Sequence, residues 1–183
     1  MLRYTLVLSM LAVWGLAVQA WPDLPARIPM HYDLAGQPDG WVDKSLVSWF
    51  GVPAFGTLLG VVMGLLLPRW VVGMARRNSP WLNVPDKKRF MALSEAGRVR
   101  AVQPVAAGLS WVVLLMQGLL AWLVVGGARV ATGEWAALPS WPMLLPIAGI
   151  GFVVVVMLVL SRRCIRQEVR GQEAGRPICR PGA

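Results

Sequence analysis

The sequence predicts an all-α integral membrane protein: four transmembrane helices, with a Pro/Gly-rich extracytoplasmic loop between the first and the second. Three observations lead there. Hydrophobic residues make up 56% of the 183-residue chain and charged residues only 15%, against about 25% charged in soluble domains. Mean hydropathy is +0.57. The apolar residues stand in four runs free of Asp, Glu, Lys, Arg and His, at 4–20, 46–67, 102–128 and 138–161. This hydrophobicity excludes a disordered chain, and two cysteines are too few for a disulfide scaffold.

Each run can cross a hydrocarbon core of about 30 Å at a rise of about 1.5 Å per residue. Backbone groups in lipid must pair within their own segment, so the runs are helices. The alternation of a membrane barrel is missing. The spans lie at about 4–20, 46–67, 104–126 and 141–161, one membrane domain over 1–161, followed by a basic tail at 162–183. The first run has a second reading as a signal peptide, with Arg3 before it and Val18-Gln19-Ala20 as cleavage site. The expectation is a retained helix, and both readings put the next loop, 21–45, outside.

Charge sets the orientation. The net charge is +9, and of the 18 Lys and Arg only Arg27, Lys44 and Arg129 fall away from the crowded side. The rest occupy Arg3, the 68–103 loop and the tail. The positive-inside rule makes that side cytoplasmic, so both termini are inside a multi-pass protein of a bacterial inner (plasma) membrane. Tryptophans flank the spans, with Trp21, Trp41, Trp49, Trp135 and Trp141 at the outer interface. The basic charge is thus spent on the lipid bilayer, and no nucleic-acid partner is expected.

No span holds an ionisable residue, which argues against an ion-coupled transporter and leaves a small-solute transporter as a second alternative. Gln117 and Ser110 are polar mid-span residues suited to interhelical hydrogen bonds. In the second span Gly56, Gly60 and Gly64 share one helix face, where another backbone can approach closely. The partner helix belongs either to this chain or to a second copy in a homo-oligomer.

The outer loop carries the candidate site. Pro22, Pro25, Pro29 and Pro38 stiffen it, and Ala35-Gly36 and Pro38-Asp39-Gly40 are turn signals. His31 is the single histidine. In an extended stretch His31 and Asp33 point to one face. A carboxylate-oriented imidazole can serve as base or ligand, with Asp39 and Asp43 as further candidates. The other reading is a structural histidine bonded to turn backbone. No G-x-S-x-G, H-E-x-x-H or paired-glutamate motif occurs, so neither enzyme activity, metal nor cofactor is predicted.

Leu24-Pro25-x-x-Ile28-Pro29-x-His31, then Gly36, Asp39-Gly40 and Lys44, then Phe50-Gly51-Val52-Pro53, resembles the DUF1648 membrane family, a domain of unknown function. The resemblance covers roughly residues 9–58. Leu82 to Lys87 and Phe90 to Leu93 look like a second segment found in some relatives. The best-known member of the family is the immunity protein against the sporulation-delaying toxin, whose further multi-span region is not expected here. The resemblance implies a polytopic membrane protein of largely undefined activity.

On the cytoplasmic face, Asn83 is positioned to cap a helix beginning at Pro85. From Asp86 to Arg100, Phe90, Leu93 and Val99 share one side among basic residues, as in an interfacial helix on anionic lipid or a docking surface for a cytoplasmic regulator. Cys164 and Cys179 are expected as thiols, and the chain beyond Gln167 as unstructured after one further turn. The function expected is contact without catalysis, in toxin immunity or envelope signalling, with an extracellular peptide or a cytoplasmic regulator as partner. The alternative is a metal- or ligand-binding membrane protein, or an enzyme, using His31, Asp33 and Asp39.

Overall fold

A computed structural model of the chain describes residues 2–174. Arg176, Cys179 and Arg180 lie outside the described residues. The elements run α1 (Leu2–Ala20), a 3-10 turn (Trp21–Asp23), β1 (Arg27–Tyr32), β2 (Pro38–Asp43), α2 (Leu46–Leu59), a π-helical segment (Gly60–Leu66), α3 (Leu67–Arg76), α4 (Lys87–Met91), α5 (Glu95–Ala131) and α6 (Trp141–Glu173). Four helical stretches are long and apolar enough to cross a membrane: Leu2–Asp23, Leu46–Arg76, Glu95–Ala131 and Trp141–Gln172.

The helices overrun the apolar spans. The 68–103 segment is mostly helical, and α6 continues well past Gln167 to Glu173, further than the single turn expected. The expected helix from Pro85 to Arg100 is broken in two. Asp86, at φ +54, precedes α4 without a side-chain cap, and Asn83 caps nothing there. Ser94 instead opens α5: its hydroxyl accepts from the Gly97 amide at 3.2 Å.

The chain forms two compact units, Met1–Val61 with Val113–Ile150, and Val62–Val112 with Gly151–Ala183. In the first, Val13 and Ala17 of α1, Leu24, Ile28 of β1, Trp49 of α2 and Val124 of α5 form one core. The Trp49 indole donates to the Ala17 carbonyl at 2.8 Å, pairing an acceptor in the last turn of α1. Gly56 and Gly60 are buried where helices meet. A Cβ on Gly56 would strike Leu120, and one on Gly60 would strike Met10 and lie 3.0 Å from the Gln117 amide. Gln117 donates to the Gly56 carbonyl at 3.0 Å. These glycine contacts are made within the chain.

In the second unit, Phe90, Leu93, Ala101, Val102 and Ile165 share a core with Val71, Met74 and Ala75 of α3. Burying Phe90 contributes about 1.5–3 kcal/mol, which holds a five-residue α4 that is too short to persist alone. Arg100 grips the buried Glu168 through two bonds of 2.7 Å. Arg98 donates to the Ala75 carbonyl at 2.8 Å and the Arg76 carbonyl at 3.1 Å, closing the C-terminal end of α3. Pro68 supplies no amide for the Gly64 carbonyl four residues earlier. The Ser110 hydroxyl donates to that carbonyl at 3.2 Å.

Candidate functional site: a docked hairpin

The segment expected as an irregular loop is an antiparallel hairpin. Arg27 pairs with Asp43, Ile28 with Val42, Pro29 with Trp41, His31 with Gly40, and Tyr32 with Pro38. Two register shifts interrupt the ladder, on either side of His31. Such bulges re-aim side chains. Ile28 and Pro29, consecutive in the regular part of the ladder, are both buried, so β1 is covered on both faces there.

The bulges also decide which carboxylate meets the histidine. Asp33 was the expected partner. Its carboxylate instead accepts the Ala35 and Gln37 amides, each at 2.8 Å, and so builds the turn. Asp39, shifted out of the ladder, places its carboxylate 2.5 Å from His31 Nδ1. The pair is open to solvent, His31 75% and Asp39 47% exposed, so the attraction between them contributes little to stability. Its effect is orientation: with Nδ1 held by the carboxylate, Nε2 is the ring nitrogen left for another group. Gly40 sits directly across, where a Cβ would come within 2.8 Å of His31 Cβ.

The remaining motif residues are anchors. Lys44 donates to the Leu24 carbonyl at 2.9 Å and stands 4.6 Å over the Trp21 ring, tying both ends of the hairpin to the end of α1. Pro25 is exposed in the extended link before β1, and Ile28 is fully buried. Gly36 takes φ +79, and a Cβ there would collide with the Leu138 carbonyl. Its own carbonyl accepts from the Leu138 amide at 2.8 Å. Asp43 faces Arg27 at 4.0 Å, with both side chains exposed.

Beneath β1 lies an apolar cavity of about 140 Å³ between Pro29, Met30 and Tyr32 and the helices α2 and α5 at Trp49, Val52, Leu123 and Val124. The Tyr32 hydroxyl is buried with no hydrogen-bond partner among the described residues. Burial pushes its pKa up to about 12, so the phenol stays protonated. Sequence reasoning missed Tyr32, because its hydroxyl is buried by helices distant in the sequence, among them α5 at Gly127.

Among the described residues no three His, Cys, Asp or Glu side chains gather as a metal site. His31 and Asp39 together supply one nitrogen and one carboxylate, short of the three or four ligands a metal site takes. No curated protein and no solved structure matches the chain. Residues 8–57, which comprise most of α1, the whole hairpin and most of α2, match the family model described as a domain of unknown function (DUF1648).

Proposed function

We propose that this protein works by contact, as a multi-pass protein of a bacterial inner membrane whose outer hairpin recognises an extracytoplasmic polypeptide. The toxin-immunity and envelope-signalling roles are two forms of that reading. The observation that carries it is that the hairpin is fixed to the helix core and still exposes apolar side chains. Leu24 and Ile28 belong to the core. Leu34, Trp41 and Val42 are exposed, in the same turn and strands that carry the polar His31–Asp39 pair. A few exposed aromatic and aliphatic side chains on a fixed support, with a polar group among them, are what a recognition surface needs. The extracytoplasmic placement rests on the charge asymmetry of the sequence.

A photo-crosslinking amino acid at Leu34 or Trp41 in living cells tests this reading. Crosslinks to a discrete extracytoplasmic polypeptide, weakened when His31 or Asp39 is replaced, are expected. Crosslinks to lipid alone would reject it. The oriented Nε2 of His31 favours a second reading, ligand or metal binding. Metal analysis of purified protein and of its His31→Ala variant separates the two, because only the second reading predicts metal lost with the imidazole.

A further inference from the structure

We infer that α4 and α6 form a binding site for a phosphate group, carried by an anionic lipid headgroup or by a soluble phosphate. Arg89 of α4 and Arg166, Val169 and Arg170 of α6 line a cleft of about 360 Å³. Among the described residues no carboxylate lines the cleft. Glu168, on the same stretch of α6, is turned inward and held by both arms of Arg100.

The three guanidiniums are placed by the core beneath them. Phe90, next to Arg89, and Ile165, next to Arg166, are both buried in the same cluster, and Val169 packs against it. Burial of these neighbours fixes the two backbones and directs the intervening arginines to the surface. Arg166 and Arg170 are four residues apart on one helix, an arrangement of like charges that is unfavourable by itself. Adding Arg89 from an element 77 positions earlier in the sequence raises the repulsion further. An anion between them removes it. Phosphate suits the site because guanidinium groups bind its oxygens in pairs. The apolar Val169 among the lining residues suits a phosphate that carries an aliphatic backbone.

The test uses the full chain in detergent, with bound phosphatidylglycerol counted by native mass spectrometry and inorganic phosphate as competitor. The double variant Arg166→Gln/Arg170→Gln should weaken phosphatidylglycerol binding at least about tenfold, the loss of two charge-assisted contacts. Arg89→Gln should weaken it several-fold. Lys88→Gln, the same loss of charge on the neighbouring exposed residue outside the cleft, should leave it within about twofold. Arg166→Lys keeps the charge but loses the paired geometry, so it should fall between. Binding of phosphatidylglycerol that millimolar phosphate leaves in place identifies the headgroup as the source. Displacement by phosphate, with the same dependence on the arginines, identifies a soluble phosphate. Equal binding by the arginine variants, Lys88→Gln and the unmodified chain, at unchanged thermal midpoints, would overturn the site.

Discussion

Tyr32 holds a buried phenol hydroxyl with no hydrogen-bond partner among the described residues, and a buried unpaired polar group costs about 1–3 kcal/mol. Tyr32→Phe should therefore raise the thermal stability of the purified protein at neutral pH, by about 1 kcal/mol. The same residue gives a sign to the alkaline response. Its folded pKa, about 12, lies above the ordinary value near 10, so the folded state keeps its proton longer than the unfolded state. Stability from this group is complete below about pH 10 and declines as pH rises toward 12. The gap in thermal midpoint between Tyr32→Phe and the unmodified chain should widen over that window; a constant gap would contradict the burial. His31 and Asp39 were both legible as candidates, since the lone histidine stands among aspartates. Their pairing was not, because the alternation that favours Asp33 holds only in a ladder without bulges.

At the level of elements, Gly56 and Gly60 fit where they do because they lack side chains. Gly60→Leu should cost about 1–3 kcal/mol by overpacking against Met10 and Gln117. An unchanged melting transition in detergent would put that face elsewhere. Arg100→Ala should cost more, about 3–5 kcal/mol, because it removes both guanidinium hydrogen bonds from the buried Glu168 carboxylate; a loss below about 1 kcal/mol would show that the carboxylate does not depend on them. The four helices were legible from apolar runs alone, since lipid leaves the backbone few alternatives. The hairpin was not. Pro29 and Pro38 argue against strands in an ordinary sheet, but in a two-stranded ribbon both strands are edges, and an edge can lack an amide donor. The widened turns at Gly60–Leu66 were also hidden, because Pro68 signals a disturbance in the helix without specifying its form.

For the whole molecule, the charge asymmetry predicts that the hairpin and the basic loop lie on opposite sides of the membrane. With Cys164 and Cys179 replaced by Ser, an impermeant thiol reagent added to intact cells should label Gln37→Cys and miss Lys87→Cys. The reverse pattern would invert the protein. Overall span number is a property of composition, so a sequence carries it openly; the docking of one segment on another depends on single contacts that composition does not encode. One such contact bears on the order of assembly. The hairpin tip is held at Gly36 by the backbone of Leu138, which is itself buried against Gly126. Leu138 leaves the ribosome 102 residues after Gly36, about 5–20 seconds at ordinary translation rates. During that interval the family-matched segment exists without the clasp that completes it. Until then the tip lacks its backbone anchor, and synthesis of the residues just before α6 closes the window.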